Sequence, residues 1–171
     1  MTSSLNSVVP LALSAVEEVR RISKNLRPTI LDDFGIDATL SRLCQEFATT
    51  FTGIILKKEV DIKEEEVPDI LKIVIFRMSQ EALNNMTKHS HADRIDLSLK
   101  KIGPRIELTI SDNGVGFELD RIKSGERTDG GVGLAGMKEP TSLSGGPLTI
   151  KSRRGTGTTI QASLKRGQAP S

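Results

Sequence analysis

Tryptophan and tyrosine are absent from this sequence of 171 residues, and five phenylalanines make up its aromatic content. A surface that stacks bases needs aromatic platforms beside basic side chains, and neither is in supply. The 24 basic residues are nearly matched by 22 acidic ones, for a formal net charge of +2. Nucleic acid is therefore not an expected partner, and the slight positive excess reads as ordinary solvated surface. Cysteine is almost missing too. Cys44 is the single thiol, which rules out an intramolecular disulfide and is compatible with a reducing compartment. Its neighbours at helical spacing, Leu40, Leu43 and Phe47, make it a packed and inert side chain rather than a nucleophile. There is also no long apolar run. The most apolar stretch, Val8 to Val16, is too short for a bilayer and is interrupted by Pro10 and Ser14. It lacks the basic start and small-residue cleavage site of a signal peptide. No membrane contact by this segment and a cytoplasmic location are expected, whatever anchors a longer parent.

What the sequence does contain is clean periodicity. Leu11, Ala15, Val19, Ile22 and Leu26 form one apolar stripe of a helix that needs a partner. The stretch Leu26 to Gly35, with helix breakers Pro28 and Gly35, predicts a prolonged turn after it. Ile36, Leu40, Leu43 and Phe47 mark a second helix stopped at Gly53. A strand over Ile54 to Val60 and an acidic loop, Lys63-Glu64-Glu65-Glu66, come next. Pro68 opens a long helix to about His89, with Leu71, Ile75, Met78, Ala82 and Met86 as its buried stripe. Ile95-Leu97-Leu99 and Ile106-Leu108-Ile110 alternate as a hairpin joined by Lys101 to Pro104. A polar loop runs from about Glu118 to Gly130, a shorter helix follows Gly133, and a second hairpin closes around Gly155-Thr156-Gly157. The length suits one core with an appended helix. The expected architecture is a two-layer α/β sandwich with helices on one face of a mixed, largely antiparallel sheet.

Three polar elements interrupt this pattern. Asp112-Asn113-Gly114-Val115-Gly116-Phe117 stands directly behind a strand, so a carboxylate and two glycines arrive together at its end. The carboxylate can accept from an amino group, and the glycines permit positive φ or close approach of the chain. Asp-Asn-Gly is also a good turn sequence. On the long helix, Glu81, Asn85 and Lys88 fall at i, i+4 and i+7 and share one face. Asn84 and Asn85 are poor choices inside a helix, because their side chains compete for backbone hydrogen bonds. A solvated helix face is the plain reading of such residues. A second glycine cluster, Gly130-Gly131-Val132-Gly133-Leu134, follows the polar loop.

Taken in this order, the three elements resemble the nucleotide-binding boxes of sensor histidine kinases, within the wider family of gyrase, chaperone, kinase and mismatch-repair ATPases. Gln80 to His89 is similar to their asparagine-containing box. The resemblance implies ATP and Mg²⁺ as cofactors. Asn85 is then the Mg²⁺ ligand through its amide oxygen, Lys88 neutralises phosphate oxygens, His89 packs near the nucleotide, and Glu81 is a catalytic candidate. Asp112 matches the residue that accepts from the adenine amino group. Gly114 and Gly116 shape the floor, with Val115 and Phe117 in the same site. Gly131 and Gly133, with Val132 and Leu134, match the second glycine box, whose amides can receive phosphates. Thr158 matches a hydroxyl that helps fix the base. Leu26-Arg27-Pro28, with Leu31-Asp32-Asp33-Phe34-Gly35-Ile36, is similar to the join between dimerisation helix and catalytic domain in kinases of the nitrate-sensor and desaturase-sensor type. Val132 to Met137 supports the same group.

The implied domain plan is the end of a dimerisation helix and junction over 1–30, an ATP-binding catalytic domain over 31–166, and a tail over 167–171. Two departures stand out. His89 and His91 are the sole histidines, and no histidine-bearing helix precedes Leu11. A catalytic fragment is therefore expected, one that acts on a dimerisation and phosphoacceptor domain elsewhere and, beyond it, on a response regulator. A homodimer is a further possibility. Pro140 stands where the subfamily usually has arginine, which shortens or kinks the helix after Gly133. Two other functions share the boxes: a free-standing serine kinase of the anti-sigma type, and a nucleotide-binding regulator without turnover.

Overall fold

The computed structural model of the protein describes residues 29–118 and 146–166. Within them the chain runs α1 (Thr29–Thr50), β1 (Ile55–Asp61), a 3-10 turn (Glu64–Glu66), α2 (Asp69–His89), β2 (Arg94–Ile102), β3 (Arg105–Asp112), β4 (Leu148–Arg153) and β5 (Gly157–Lys165). The strands form one sheet in the order β1-β2-β3-β5-β4. The β1–β2 pair is parallel and the other pairs are antiparallel. This is the mixed sheet expected above, and both hairpins are present.

Strand alternation sorts the two faces. Register places Leu108 between Leu99 and Ala162, and Ile110 between Leu97 and Ile160. These six side chains are all buried, beneath Leu40, Leu43, Ile75, Met78 and Leu83 from the helices. The intervening positions Ser98, Thr109 and Gln161 also lie side by side, only partly buried on the other face. Each large apolar side chain removed from water in this core is worth roughly 1.5–3 kcal/mol. Cys44 is buried, and burial pushes its thiol up to about 11, consistent with an inert packed group.

The same period of two has a consequence at the end of β3. Ile106, Leu108 and Ile110 face the helices, so the next inward position is Asp112, which is buried in its turn. The sheet drives a carboxylate into the edge of the core.

The long helix α2 follows Pro68, whose carbonyl accepts from the N–H groups of Leu71 and Lys72. At its other end the N–H and hydroxyl of Ser90 both donate to the Met86 carbonyl, and His91 turns the chain with φ of 51°. Lys88 and His89 occupy the last turn, where positive charge suits the helix dipole.

At α1 the outcome differs from expectation. The turn predicted over Leu26 to Gly35 is helical from Thr29 on. Gly35 interrupts the helix as a kink with φ of 79° and ψ of −176°, a region open essentially to glycine alone. Helix breaking by Gly35 is real, but its effect is a sharp bend between two helical pieces. Glu64 completes the bend: its Oε2 accepts from the Ile36 N–H at 2.8 Å, in the manner of a cap, and its Oε1 pairs with Lys72 Nζ at 2.6 Å. A Cβ on Gly35 would overlap the Glu64 carboxylate. The predicted helix Leu11 to Leu26, the second glycine cluster and Pro140 lie outside the described residues.

Gly35→Ala should therefore lower stability by about 1–3 kcal/mol, through backbone strain and displacement of the Glu64 cap. Urea denaturation of the parent and variant reads this directly, and an unchanged midpoint would contradict the strained bend.

Candidate functional site

Asp112 is 7% exposed. Its Oδ1 accepts the Gly114 N–H at 2.8 Å, while Oδ2 is buried with no hydrogen-bond partner among the described residues. Burial pushes this carboxyl above the ordinary carboxylate value, against the opposing pull of the Gly114 and Thr158 amides and the Ser90 hydroxyl. An unsatisfied buried acceptor costs about 1–3 kcal/mol. A further donor brought to Oδ2 would offset that cost.

The loop behind Asp112 is pinned on both sides. Asn113 Oδ1 accepts from the Arg94 N–H at 3.0 Å, and Asn113 Nδ2 donates to Asp93 Oδ1 at 2.7 Å. The Val115 N–H donates to the Ser90 carbonyl at 2.7 Å, and the Val115 carbonyl accepts from the Gly155 N–H at 2.7 Å. A Cβ at Gly114 would overlap the Ser90 carbonyl, and one at Gly116, where φ is 59°, would overlap that of Arg153. Both glycines thus serve close approach, but the approaching backbone is the protein's own. Gly157, with φ of 80°, repeats the device: a Cβ there would meet the Asp112 carbonyl oxygen.

These contacts enclose a cleft between the C-terminal turns of α2 and the ends of β3 and β5. Asn85, Met86, His89 and Ser90 line it from α2 and its cap, Asp112, Gly116 and Phe117 from the end of β3, and Thr158 and Ile160 from β5. Met86, Phe117 and Ile160 make apolar walls for a flat ring. Asp112 Oδ2 and Asn85 Nδ2 are both buried and without partners among the described residues. The cleft therefore offers an acceptor and a donor amid apolar surface, the arrangement that binds a small planar ligand carrying an amino group. No cluster of three or more His, Cys, Asp or Glu able to hold a metal occurs among the described residues. A cation here would rely on an amide oxygen such as that of Asn85 together with oxygens of the ligand.

Of the residues singled out from the sequence, Asn85, His89, Asp112, Gly116, Phe117 and Thr158 meet in this one cleft. Gly114 and Val115 lie in the pinned loop beside it. Glu81 and Lys88 sit on α2 without lining the cleft, the first partly buried and the second exposed. Gly131, Val132, Gly133 and Leu134 lie outside the described residues. Sequence reasoning missed Ser90 and Ser152. Ser90 supplies the carbonyl against which Gly114 and Val115 pack, and Ser152 bonds Phe117 and Thr158. Neither carries a local signal, since serine at a helix end or in a strand is ordinary. Gly157 was legible only as part of a turn.

Residues 71–168 match the family model described as histidine kinase-, DNA gyrase B-, and HSP90-like ATPase, which covers more than half of the chain. The sensor histidine kinase MctS of Rhizobium johnstonii is 37% identical over 152 residues, spanning 89% of this chain and 32% of that protein. The signal transduction histidine-protein kinase/phosphatase DegS of Brevibacillus brevis is 36% identical over 151 residues, 88% of this chain and 38% of that protein. The chain thus spans about a third of the length of these curated relatives. Full-length ShkA, solved in complex with AMPPNP, superimposes with a TM-score of 0.61 at 20% identity over 75% of this chain and 29% of that one, a likeness of fold. The chain belongs to the histidine kinase-, DNA gyrase B-, and HSP90-like ATPase family, with sensor histidine kinases as its relatives.

Proposed function

We propose that this chain is the ATP-binding catalytic domain of a two-component sensor histidine kinase, which passes the γ-phosphoryl group of ATP to a histidine on a dimerisation domain. The observation that carries this reading is the buried Asp112 Oδ2, unpartnered among the described residues, in an apolar cleft of a chain from this ATPase family. Adenine fits the cleft chemically: its exocyclic amino group donates to Asp112 Oδ2, and its ring lies against Met86, Phe117 and Ile160. The AMPPNP complex of the fold neighbour ShkA agrees in kind.

ATP supplies the phosphoryl group, whose bond to the bridging oxygen of ADP breaks as a bond to an imidazole nitrogen forms. The chain's part is positioning and charge neutralisation, which dominate such transfers. Asp112 and Thr158 hold the base, with Gly114, Val115, Gly116 and Phe117 around it. Asn85 holds Mg²⁺ through its amide oxygen, Lys88 neutralises phosphate oxygens, and His89 packs near the nucleotide at the cleft wall. Gly131, Val132, Gly133 and Leu134 offer amides to the phosphates, and Glu81 is the catalytic candidate. The plan of a dimerisation-helix end over 1–30, a catalytic domain over 31–166 and a tail over 167–171 belongs to the same reading. So do a phosphoacceptor domain, a response regulator and a second copy of the chain as partners. A cytoplasmic location also follows from it, and no helix among the described residues is long and apolar enough to cross a membrane.

Incubation with labelled ATP, Mg²⁺ and a separately supplied dimerisation domain should label that domain's histidine. Binding of ATP without labelling of any acceptor would instead mark a regulator without turnover. Asp112→Ala loses a charge-assisted hydrogen bond of roughly 1.5–3 kcal/mol, so calorimetry should show ATP affinity falling about ten- to a hundredfold with weaker preference over GTP. Asn85→Ala should reduce the Mg²⁺-dependent part of binding and leave the metal-free part in place; equal metal dependence in parent and variant contradicts its role as ligand.

The raised value of Asp112 also predicts a pH effect without nucleotide. The folded state holds this proton more tightly than the unfolded chain, so stability falls as pH rises from the ordinary carboxylate value, about 3.9, to the raised one. Asp112→Asn removes that loss. In denaturation curves from pH 3 to 7 the variant should gain on the parent as pH rises, and a pH-independent difference refutes the buried carboxylate's cost.

A further inference from the structure

The first strand, β1, is an edge of the sheet, and its parallel pairing with β2 divides its backbone in two. The Ile55 N–H donates to the Asp93 carbonyl at 2.7 Å, and the register Ile55↔Arg94 carries on from there. In a parallel pair alternate residues turn both backbone groups to the partner, so Ile55, Lys57, Glu59 and Asp61 serve β2. Leu56, Lys58 and Val60 point theirs outward, to an edge that no described strand covers. Side chains alternate as well. The odd-numbered ones are exposed, while Ile54, Leu56, Val60 and Ile62 are partly buried against the core.

This segment has nearly the same character read from either end. Laid antiparallel on a second copy with Lys58 at a twofold axis, it sets Leu56 opposite Val60 and Ile54 opposite Ile62 on the inner face. On the exposed face the same register sets Lys57 opposite Glu59. Symmetry makes each of these contacts twice. The backbone agrees, because the outward-pointing Leu56, Lys58 and Val60 fall at the hydrogen-bonded pairs of that antiparallel ladder. Neighbouring registers fit worse: an axis at Val60 opposes Glu59 to Asp61 and Lys57 to Lys63, and one at Leu56 opposes Lys58 to Ile54.

Lysine on an edge strand ordinarily deters pairing. Here the charges are answered. Lys57 meets Glu59 of the second copy, and Lys58, which faces its own counterpart at the axis, is already paired with Asp37 of its own α1. Glu59 also contacts Lys100 of β2 at 2.9 Å, an exposed ion pair that it can share.

We propose that β1 is a self-recognition edge, through which two copies of this chain join their sheets into one about a twofold axis at Lys58. The surface is separate from the apolar stripe of Leu11 to Leu26, and nucleotide chemistry plays no part in it. The cleft lies where β3 ends, beside the starts of β1 and β2 in the register. Antiparallel joining therefore sends the two clefts to opposite ends of the combined sheet and leaves both open. A contact of one strand on each side is small, so the association is weak and reversible.

Sedimentation velocity of the parent chain, from micromolar to millimolar concentration, should show a monomer–dimer equilibrium. Lys57→Glu opposes a carboxylate to Glu59, and Glu59→Lys opposes an ammonium to Lys57, so each variant alone should associate about tenfold more weakly. An equimolar mixture of the two restores both ion pairs and should recover the parent's association as a heterodimer. Lys58→Cys reads the register. With Cys44 buried, copper phenanthroline should link two copies through position 58, whereas Val60→Cys, whose counterparts lie apart across this axis, should stay unlinked. A parent that stays monomeric overturns the proposal. So does a dimer indifferent to both charge variants, which must form through another surface, and so does linking of Val60→Cys in preference to Lys58→Cys.

Discussion

A buried carboxylate at the wall of a cleft is the point on which the described structure turns. Asp112 reaches its place because β3 alternates and its inward positions are already committed to Ile106, Leu108 and Ile110. One of its oxygens closes a short turn on the Gly114 N–H, and the other has no donor among the described residues. The surroundings keep this tension in place. Glycine at 114, 116 and 157 lets the backbones of Ser90, Arg153 and Asp112 come closer than any side chain would allow. A buried acceptor of this kind is stabilised by any donor brought to it.

The rest of the fold holds that strand end still. β3 lies between two antiparallel neighbours, the position best shielded from fraying, and α2 crosses its inner face before ending at Ser90. The last turn of α2 thus brings Asn85 and His89 to the same cleft that β3 and β5 reach from the sheet. At the opposite side, Gly35 and Glu64 bend α1 so that Ile36, Leu40 and Leu43 can lie on the core. The bend is also where Leu31-Asp32-Asp33-Phe34-Gly35-Ile36 resembles the join to a dimerisation helix. A glycine-only conformation capped by a distant glutamate explains why that segment carries glycine at that point.

Much of this architecture could be read from spacing. The apolar alternation of Ile95 to Leu99 and Ile106 to Ile110 predicted a hairpin, and the stripe from Leu71 to Met86 predicted the long helix. Asp112 stood out in the sequence because a charge directly behind an apolar strand breaks the local pattern, and the structure buries it at the wall of the cleft. The helical start at Thr29 was not, since Pro28 and Gly35 both argue locally for a turn. A helix can run through this segment and bend at glycine when a remote carboxylate satisfies the freed amide.

The sequence by itself determined the kind of the long helix and of the two hairpins, because periodicity and turn chemistry act over a few residues. Only the tertiary structure decided the strand order β1-β2-β3-β5-β4, the alignment of Ser152 with Thr158 and Asp112, and the packing of Gly114 on Ser90. Register and close backbone approach join residues tens of positions apart, and no local propensity encodes which of them will meet.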